Sequence, residues 1–307
     1  MTRVSSFGHN QAMVNSLLTN QSKVFEDQTQ INTGKKSNQY SGFSREANTL
    51  LGAKSLLSRT ESYKSSTSQV LRQLDTNDQH LSNMETVVDD LRQTMIDTIG
   101  QGEAYTFREA LDVTFQNLVG ALNSNIGGVY MFSGSRSDVK PVDAIGLTDL
   151  INAPTANSLF QNDQKRPAAR IDEGTTVEYG LLADEIASDI FAVMKTIAEY
   201  DDGVNGPIEG ELTSAQKSFL QAELLNLDTA IEGLRNVIAE NGTRNANLED
   251  KVAQHQSNAN FLEIFISDIE DVDLTEAVTR LQNDQVALEV SYSIVGELGK
   301  LSLLNYL

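Results

Sequence analysis

The chain has no cysteine and no tryptophan among its 307 residues, and only four prolines. Without cysteine there is no disulfide framework, no thiolate zinc site and no thiol nucleophile. Stability must come from packing or assembly. The prolines, Pro141, Pro154, Pro167 and Pro207, all lie between residues 141 and 207. The segments on either side are free of the strongest helix breaker, so turns belong in the middle. Aromatics make up 6% of the chain, so a core has to be built from thin seams of Leu, Ile, Val and Ala, as in long bundles. Basic residues are scarce. A balance of 23 Lys+Arg against 43 Asp+Glu gives a net charge of −20, which argues against nucleic acid as a partner. No run of 18 apolar residues occurs, so no membrane span is expected. No apolar stretch follows Arg3, so no cleavable signal peptide is expected either. The address this implies is the cytoplasm or a leaderless export route.

Charge is also uneven. Residues 1–60 carry seven Lys/Arg and three Asp/Glu, while residues 173–213 carry ten Asp/Glu and one Lys. The acidic stretch reads first as a solvated, self-repelling surface; a cation-binding patch is the sharper alternative. Catalytic patterns are missing. His9, His80 and His255 sit in no metal-ligand spacing, and there is no P-loop, GxGxxG or GxSxG. Asp201-Asp202 and Glu270-Asp271 fall in expected loops, where paired acids are usually solvated. The sequence therefore predicts no catalytic residue, no metal site and no cofactor: the protein is not expected to be an enzyme.

What the chain does have is helical periodicity. From Leu220, core-type positions recur at alternating steps of four and three: Leu224, Leu227, Ile231, Leu234, Ile238, Asn241, Asn245, Leu248, Val252, His255, Ala259, Leu262, Ile266 and Ile269. That spacing keeps one side of a helix against a partner. The pattern predicts a helix of about 50 residues, about 75 Å long at the α-helical rise. Asn241, Asn245 and His255 read as polar seam residues that set register rather than as ligands. A similar seam occurs near the start, with Phe7, Val14, Leu17, Gln21, Val24, Gln28 and Ile31, ending at Asn32-Thr-Gly34. A second helical pattern includes Leu57, Leu71, Leu74, Leu81, Met84, Val88, Leu91, Met95 and Ile99. It is polar from Arg59 to Gln69, where a mostly exposed or weakly specified helix is expected. A third runs from Phe107 to Ile126. The last helix opens at Asp273-Leu-Thr-Glu276, a capping-box pattern, and carries Leu274, Val278, Leu281, Leu288, Tyr292 and Val295 before the apolar end LGKLSLLNYL.

Between these helices the texture changes. Val129-Tyr-Met-Phe132 favours a strand. Ala169–Ile171 and Thr175–Tyr179 flank Asp172-Glu-Gly174 as a hairpin would, and residues 182–199 return to helix. The expected fold is mainly α with a small β-containing insertion, built of long antiparallel helices and a terminal coiled coil. Its segments are an N-terminal coiled-coil helix (1–40), a first half of a helical domain (41–127), a β-containing outer domain (128–213), a second helical half (214–272) and a C-terminal coiled-coil helix (273–307).

Several stretches resemble the flagellin family. QINTGKKSNQ at 30–39 is similar to the family's segment at the end of the first helix. ISDIEDVDLTEAVTRLQNDQVALEVSY at 266–292 and LSLLNYL at 301–307 resemble its C-terminal segments. GGVYMFSGSRSDVKP at 127–141 and RIDEGTTVEYGLLADE at 170–185 resemble, within that family, the proteins of the hook–filament junction. The resemblance implies paired terminal helices, an outward β-rich domain and export through the flagellar type III route without a cleaved signal. It implies an extracellular place in the bacterial flagellum. The implied partners are further copies in a ring or helical assembly, a neighbouring hook-associated protein, flagellin and an export chaperone. The loop SNQYSGFSRE at 37–46 departs from the family's acidic, Ala-rich form, and the choice between junction protein and filament subunit stays open here.

Two other readings compete: an unrelated coiled-coil scaffold, and an enzyme or binding module at 128–213 on a helical stalk. The terminal seams favour assembly. The expected assembly interface is Phe7, Val14, Leu17, Val24, Ile31, Leu281, Leu288, Tyr292, Val295, Leu298, Leu301 and Leu304. Residues 128–213 are expected to tolerate change, a deletion of 143–165 included.

Overall fold

The computed structural model of the protein describes residues 3–43 and 45–304. In order the elements are α1 (Arg3–Thr33), α2 (Ala47–Gln101), α3 (Phe107–Leu122), β1 (Asn125–Ile126), β2 (Val129–Tyr130), α4 (Leu147–Asn152), β3 (Ala168–Asp172), β4 (Thr175–Glu178), α5 (Ala183–Asp202), α6 (Ser214–Glu270) and α7 (Leu274–Leu304). The class is as expected, mainly α with a small β-containing insertion. The chain forms two compact units. One comprises residues 1–59 and 257–307, the other residues 60–256, so α2 and α6 contribute to both. Among the described residues no helix is long and apolar enough to cross a membrane.

In the unit of residues 60–256, α2 and α6 run antiparallel. Arg92 pairs with Asp228, and Arg235 bridges Glu85 at 2.6 Å and Asp89 at 2.9 Å. Asn241 Nδ2 donates to the Leu74 carbonyl at 3.0 Å, and Asn245 Nδ2 to Asp75 at 2.6 Å. Residue numbers rise along one helix as they fall along the other. The seam of α6 follows the expected spacing: Leu220, Leu227, Ile231, Leu234, Asn241, Leu248 and His255 are all buried. The polar members make directional bonds. His255 Nε2 meets the Ile171 carbonyl at 2.8 Å, which ties hairpin β3–β4 to α6 and requires the ring to carry its proton on Nε2.

The seam of α2 differs from expectation. The stretch from Arg59 to Gln69 is regular helix, and it is not mostly exposed: Thr60 and Thr67 are buried. They continue the three-four spacing of Val70, Leu74, Asn77, Leu81, Met84, Val88, Leu91 and Met95, all buried. A small β-branched hydroxyl residue can sit in a seam because its own helix takes the hydroxyl; Thr67 Oγ1 donates to the Tyr63 carbonyl at 2.8 Å.

The third helix stops at Leu122, four residues short of the expected end. Ile126 instead pairs with Val129, and Asn125 with Tyr130, in a two-residue antiparallel ladder. Gly127 and Gly128 take φ of 62° and 90°, the positive values a tight hairpin turn requires. The second hairpin is as expected, with Gly174 at φ 75° and β3 pairing β4 through Ala168–Glu178 and Arg170–Thr176.

Residues 128–213 share a core with their neighbours. One buried cluster draws Leu81, Met84 and Leu91 from α2, Phe107, Leu111 and Phe115 from α3, Leu147 and Leu150 from α4, Phe132, Val142 and Leu159 from the segments around it, Ile190 and Phe191 from α5, and Leu227 and Leu234 from α6. Phe191 stacks on Phe160 at a centroid distance of 5.3 Å and meets Phe115 at a tilt, 4.9 Å away. Lys195 is buried and donates to the carbonyls of Leu150, Ile151 and Ala153 at 2.8–3.0 Å, satisfying the end of α4 that the following Pro154 leaves open. The segment expected to tolerate deletion is therefore part of the core.

Candidate assembly surface

The second unit is built around the two terminal helices. Phe43, Leu50, Ala53, Ala259, Leu262 and Ala277 are buried in it. Helices α1 and α7 pack along their length. Asn20 Nδ2 donates to Ser291 Oγ at 2.9 Å, and Arg280 donates to Gln30 Oε1 at 2.7 Å, which makes the pair antiparallel. Arg280 also bonds Glu276 at 3.0 Å.

A charged corner joins the helix ends. Lys36 Nζ donates to the Asp268 and Ile269 carbonyls at 2.8 and 2.9 Å, capping the last turn of α6. Backbone bonds run from Lys36 N to Glu270 O at 2.8 Å and from Val272 N to Gly34 O at 2.9 Å. Glu270 takes both Lys35 (2.9 Å) and Lys54 (2.7 Å). Burial alone would push the Glu270 carboxyl up. The hydrogen bonds from Lys54 and Lys35, with their charges, outweigh it and hold the group below its ordinary value of 4.5. A depressed carboxyl contributes stability above its unfolded value and loses it as pH falls through the lower folded value. Acidification below about pH 4.5 is therefore expected to loosen this corner. Amide exchange at residues 33–36 and 268–273, followed down the pH scale, checks this. Glu270→Gln should weaken protection at neutral pH and flatten its pH dependence.

At the start of α7, Asp273 Oδ1 accepts from the backbone N–H of Thr275 (2.8 Å) and of Glu276 (3.2 Å), as the capping pattern predicts. The reciprocal half differs: Glu276 turns to Arg280.

The residues expected at the assembly interface divide. Leu17, Val24, Ile31, Leu281, Leu288 and Val295 are half-buried on the paired helices. Val14 and Tyr292 are exposed, and Ser291 meets α1 where Tyr292 was expected. Phe7, Leu298, Leu301 and Leu304 have side chains outside the described residues. Sequence reading missed a second set. Leu18 and Phe25 on α1, with Val286 and Val290 on α7, are exposed, Phe25 by 72%. At about 100° per residue, Val14, Leu18 and Phe25 share one stripe of α1, about 100° around from Leu17, Val24 and Ile31. The signal was present: more apolar positions than one narrow seam can use. The α1–α7 pair thus half-buries one stripe and leaves other apolar positions on its surface.

Other candidate residues have structural tasks. His80 Nε2 lies 3.0 Å from Ser124 Oγ and its ring meets Phe132 edge-on; burial lowers its pKa. Asp172 pairs with Lys251, whose hydrogen bond holds that carboxyl below its ordinary value. Arg108 pairs with Asp201 beside an open cleft of about 460 Å³ lined also by Tyr105, Glu109 and Pro207.

Residues 224–307 match the family described as the bacterial flagellin C-terminal helical region. No curated protein matches the chain in sequence. Solved structures do share its fold. A protein of Vibrio parahaemolyticus described as flagellar hook-associated superposes with a TM-score of 0.58 at 16% identity, over 72% of this chain and 96% of that one. FlgL of Bacillus cereus gives 0.56 at 13% identity, over 70% and 99%. The flagellar junction protein FlgL of Legionella pneumophila gives 0.51 at 12% identity, over 74% and 99%. Residues 224–307 are thus similar to a flagellin C-terminal helical region, and the chain has the fold that these hook-associated and junction proteins share.

Proposed function

We propose that this protein is a structural subunit of the bacterial flagellum, a counterpart of hook-associated protein 3 that sits between hook and filament and catalyses nothing. The observation that carries the reading is the pair α1–α7. It joins the two chain ends antiparallel, yet keeps apolar stripes exposed on both helices. Copies of the chain in a ring or helical array would cover them, with a neighbouring hook-associated protein on one side and flagellin on the other. Before assembly the same stripes need protection, which suits an export chaperone, and their destination outside the cell suits the absence of thiols. Nothing in this reading requires a metal, cofactor, nucleic acid or membrane.

Electron micrographs of cells lacking the gene test the reading. Intact hooks without attached filaments are expected. Shortened or altered filaments, still attached, would instead favour a filament subunit, the reading that the flagellin match at 224–307 supports. Wild-type flagella would remove both.

A further inference from the structure

One charged group in the terminal pair lacks a good partner. Asp27, on the face of α1 that meets α7, is only 6% exposed. Its Oδ2 is buried and has no hydrogen-bond partner among the described residues. Its Oδ1 lies 3.5 Å from Arg280 Nε, at the outer limit of a hydrogen bond. Arg280 spends its better geometry elsewhere, on Gln30 at 2.7 Å and Glu276 at 3.0 Å. A buried carboxylate without donors is costly, and proteins normally pair one or place it elsewhere. Asp27 also lines an open cleft of about 740 Å³ between α1 and α7, along with Glu26, Gln30, Asp273, Glu276 and Arg280. The whole lining holds five carboxylates against three cations, Lys23, Lys36 and Arg280, a net negative charge that suits a cation better than an anion.

We infer that Asp27 is half of an ion pair completed between subunits: a lysine or arginine of a second copy of this chain enters the cleft, and the Asp27 carboxylate turns toward it and accepts its hydrogen bond. This rests on the assembly reading above and specifies one contact within it. A second copy is the fitting occupant for two reasons. The exposed stripes of Val14, Leu18 and Phe25 on α1, and of Val286 and Val290 on α7, provide apolar area beside the cleft that a lone small cation would not use. Of the seven Lys/Arg in the first 60 residues, Lys35, Lys36 and Lys54 are held at the charged corner, while Lys23 is exposed on α1, so a copy docking through its own N-terminal region brings a donor with it. The isolated subunit then carries the cost of Asp27, and association removes it. One residue thereby makes the terminal pair less stable alone and more stable assembled.

Two variants separate this from a structural role. Asp27→Leu removes the charge and fills the position with apolar volume; Asp27→Asn keeps the shape and removes the charge. Each full-length chain is measured as a monomer, by amide exchange of α1 and α7. Each is then measured for association, by sedimentation of the chain alone and of the chain with purified hook fragments. Asp27→Leu is expected to keep or raise amide protection in the monomer while raising the concentration needed for self-association at least tenfold, and Asp27→Asn to raise that concentration as well. Several results overturn the inference. Both variants could associate as wild type does, which would mean solvent serves the oxygen. Asp27→Leu could lose monomer protection, which would mark Asp27 as an internal strut. Lys23→Ala could lower the amide protection of α1 and α7 in the monomer, which would put the donor in the same chain. Wild type could bind hook fragments without self-associating, which would make the partner a different protein. Failure of wild type to associate with itself or with hook fragments would instead remove the assembly reading.

Discussion

Subunits carrying Leu288→Asp are expected to stay out of the assembly while residues 60–256 remain folded. Leu288 is half-buried on α7, and α7 packs on α1. Burying a leucine contributes about 1.5–3 kcal/mol. A carboxylate at the same place adds an unpaired charge that the pair must expel. The loss repeats at every copy, so a change that a monomer tolerates becomes decisive in an array. The unit of residues 60–256 has its own buried cluster and does not draw on Leu288, so its circular dichroism and melting should hold. A cellular defect alone would be ambiguous, because an export chaperone could read the same helix. Purified Leu288→Asp protein mixed with hook fragments removes export from the question. Incorporation at the wild-type level would mean that this face of α7 is not an assembly contact.

Deleting residues 143–165 is expected to unfold the unit of residues 60–256, contrary to the tolerance that composition suggests. The deletion removes Leu147, Leu150, Ala156 and Leu159 from the buried cluster. It removes Phe160 from the face of Phe191. It also strips Lys195 of its three carbonyl acceptors, leaving an ammonium group buried beside only Glu199. Losing a single large core side chain costs about 2–5 kcal/mol, and whole domains are stable by about 5–15 kcal/mol, so several such losses exceed what the unit can absorb. Thermal unfolding of the deleted chain checks this. A cooperative transition at the wild-type temperature would show that residues 143–165 are dispensable after all.

These two cases mark where the sequence is legible. A seam of Leu, Ile and Val at three-four spacing announces a helix and its buried side together, which is why α6 could be read to within a residue or two of Ser214–Glu270. The same spacing in α2 is harder to see across Thr60 and Thr67, because a threonine inside a seam has the same letters as one on a surface. Only the hydroxyl's bond to its own helix tells them apart. Helix α4 is six residues long, too short to show a period, and it depends on Lys195 from a distant element. Ile126 carried a helical phase from α3 but belongs to a hairpin, since Gly127-Gly128 favours a reversal over a helix end. At the terminal pair, periodicity identified the stripe between α1 and α7. It did not identify the second stripe, because a heptad reading stops once one face is satisfied. Asp27 is legible only in three dimensions: in the sequence it is one more acid on a helix, and its missing donor is a property of what surrounds it.

The β1–β2 turn has a practical use. Val129 is about half exposed beside Gly127-Gly128, and no side chain or backbone of the core lies within 4 Å of where a Cβ on either glycine would point. The chain has no native thiol. A Val129→Cys substitution would therefore give one reactive thiol at a known place in the unit of residues 60–256. A dye attached there would report a subunit's arrival in a growing structure by its tumbling rate, in real time, with α1 and α7 left unaltered.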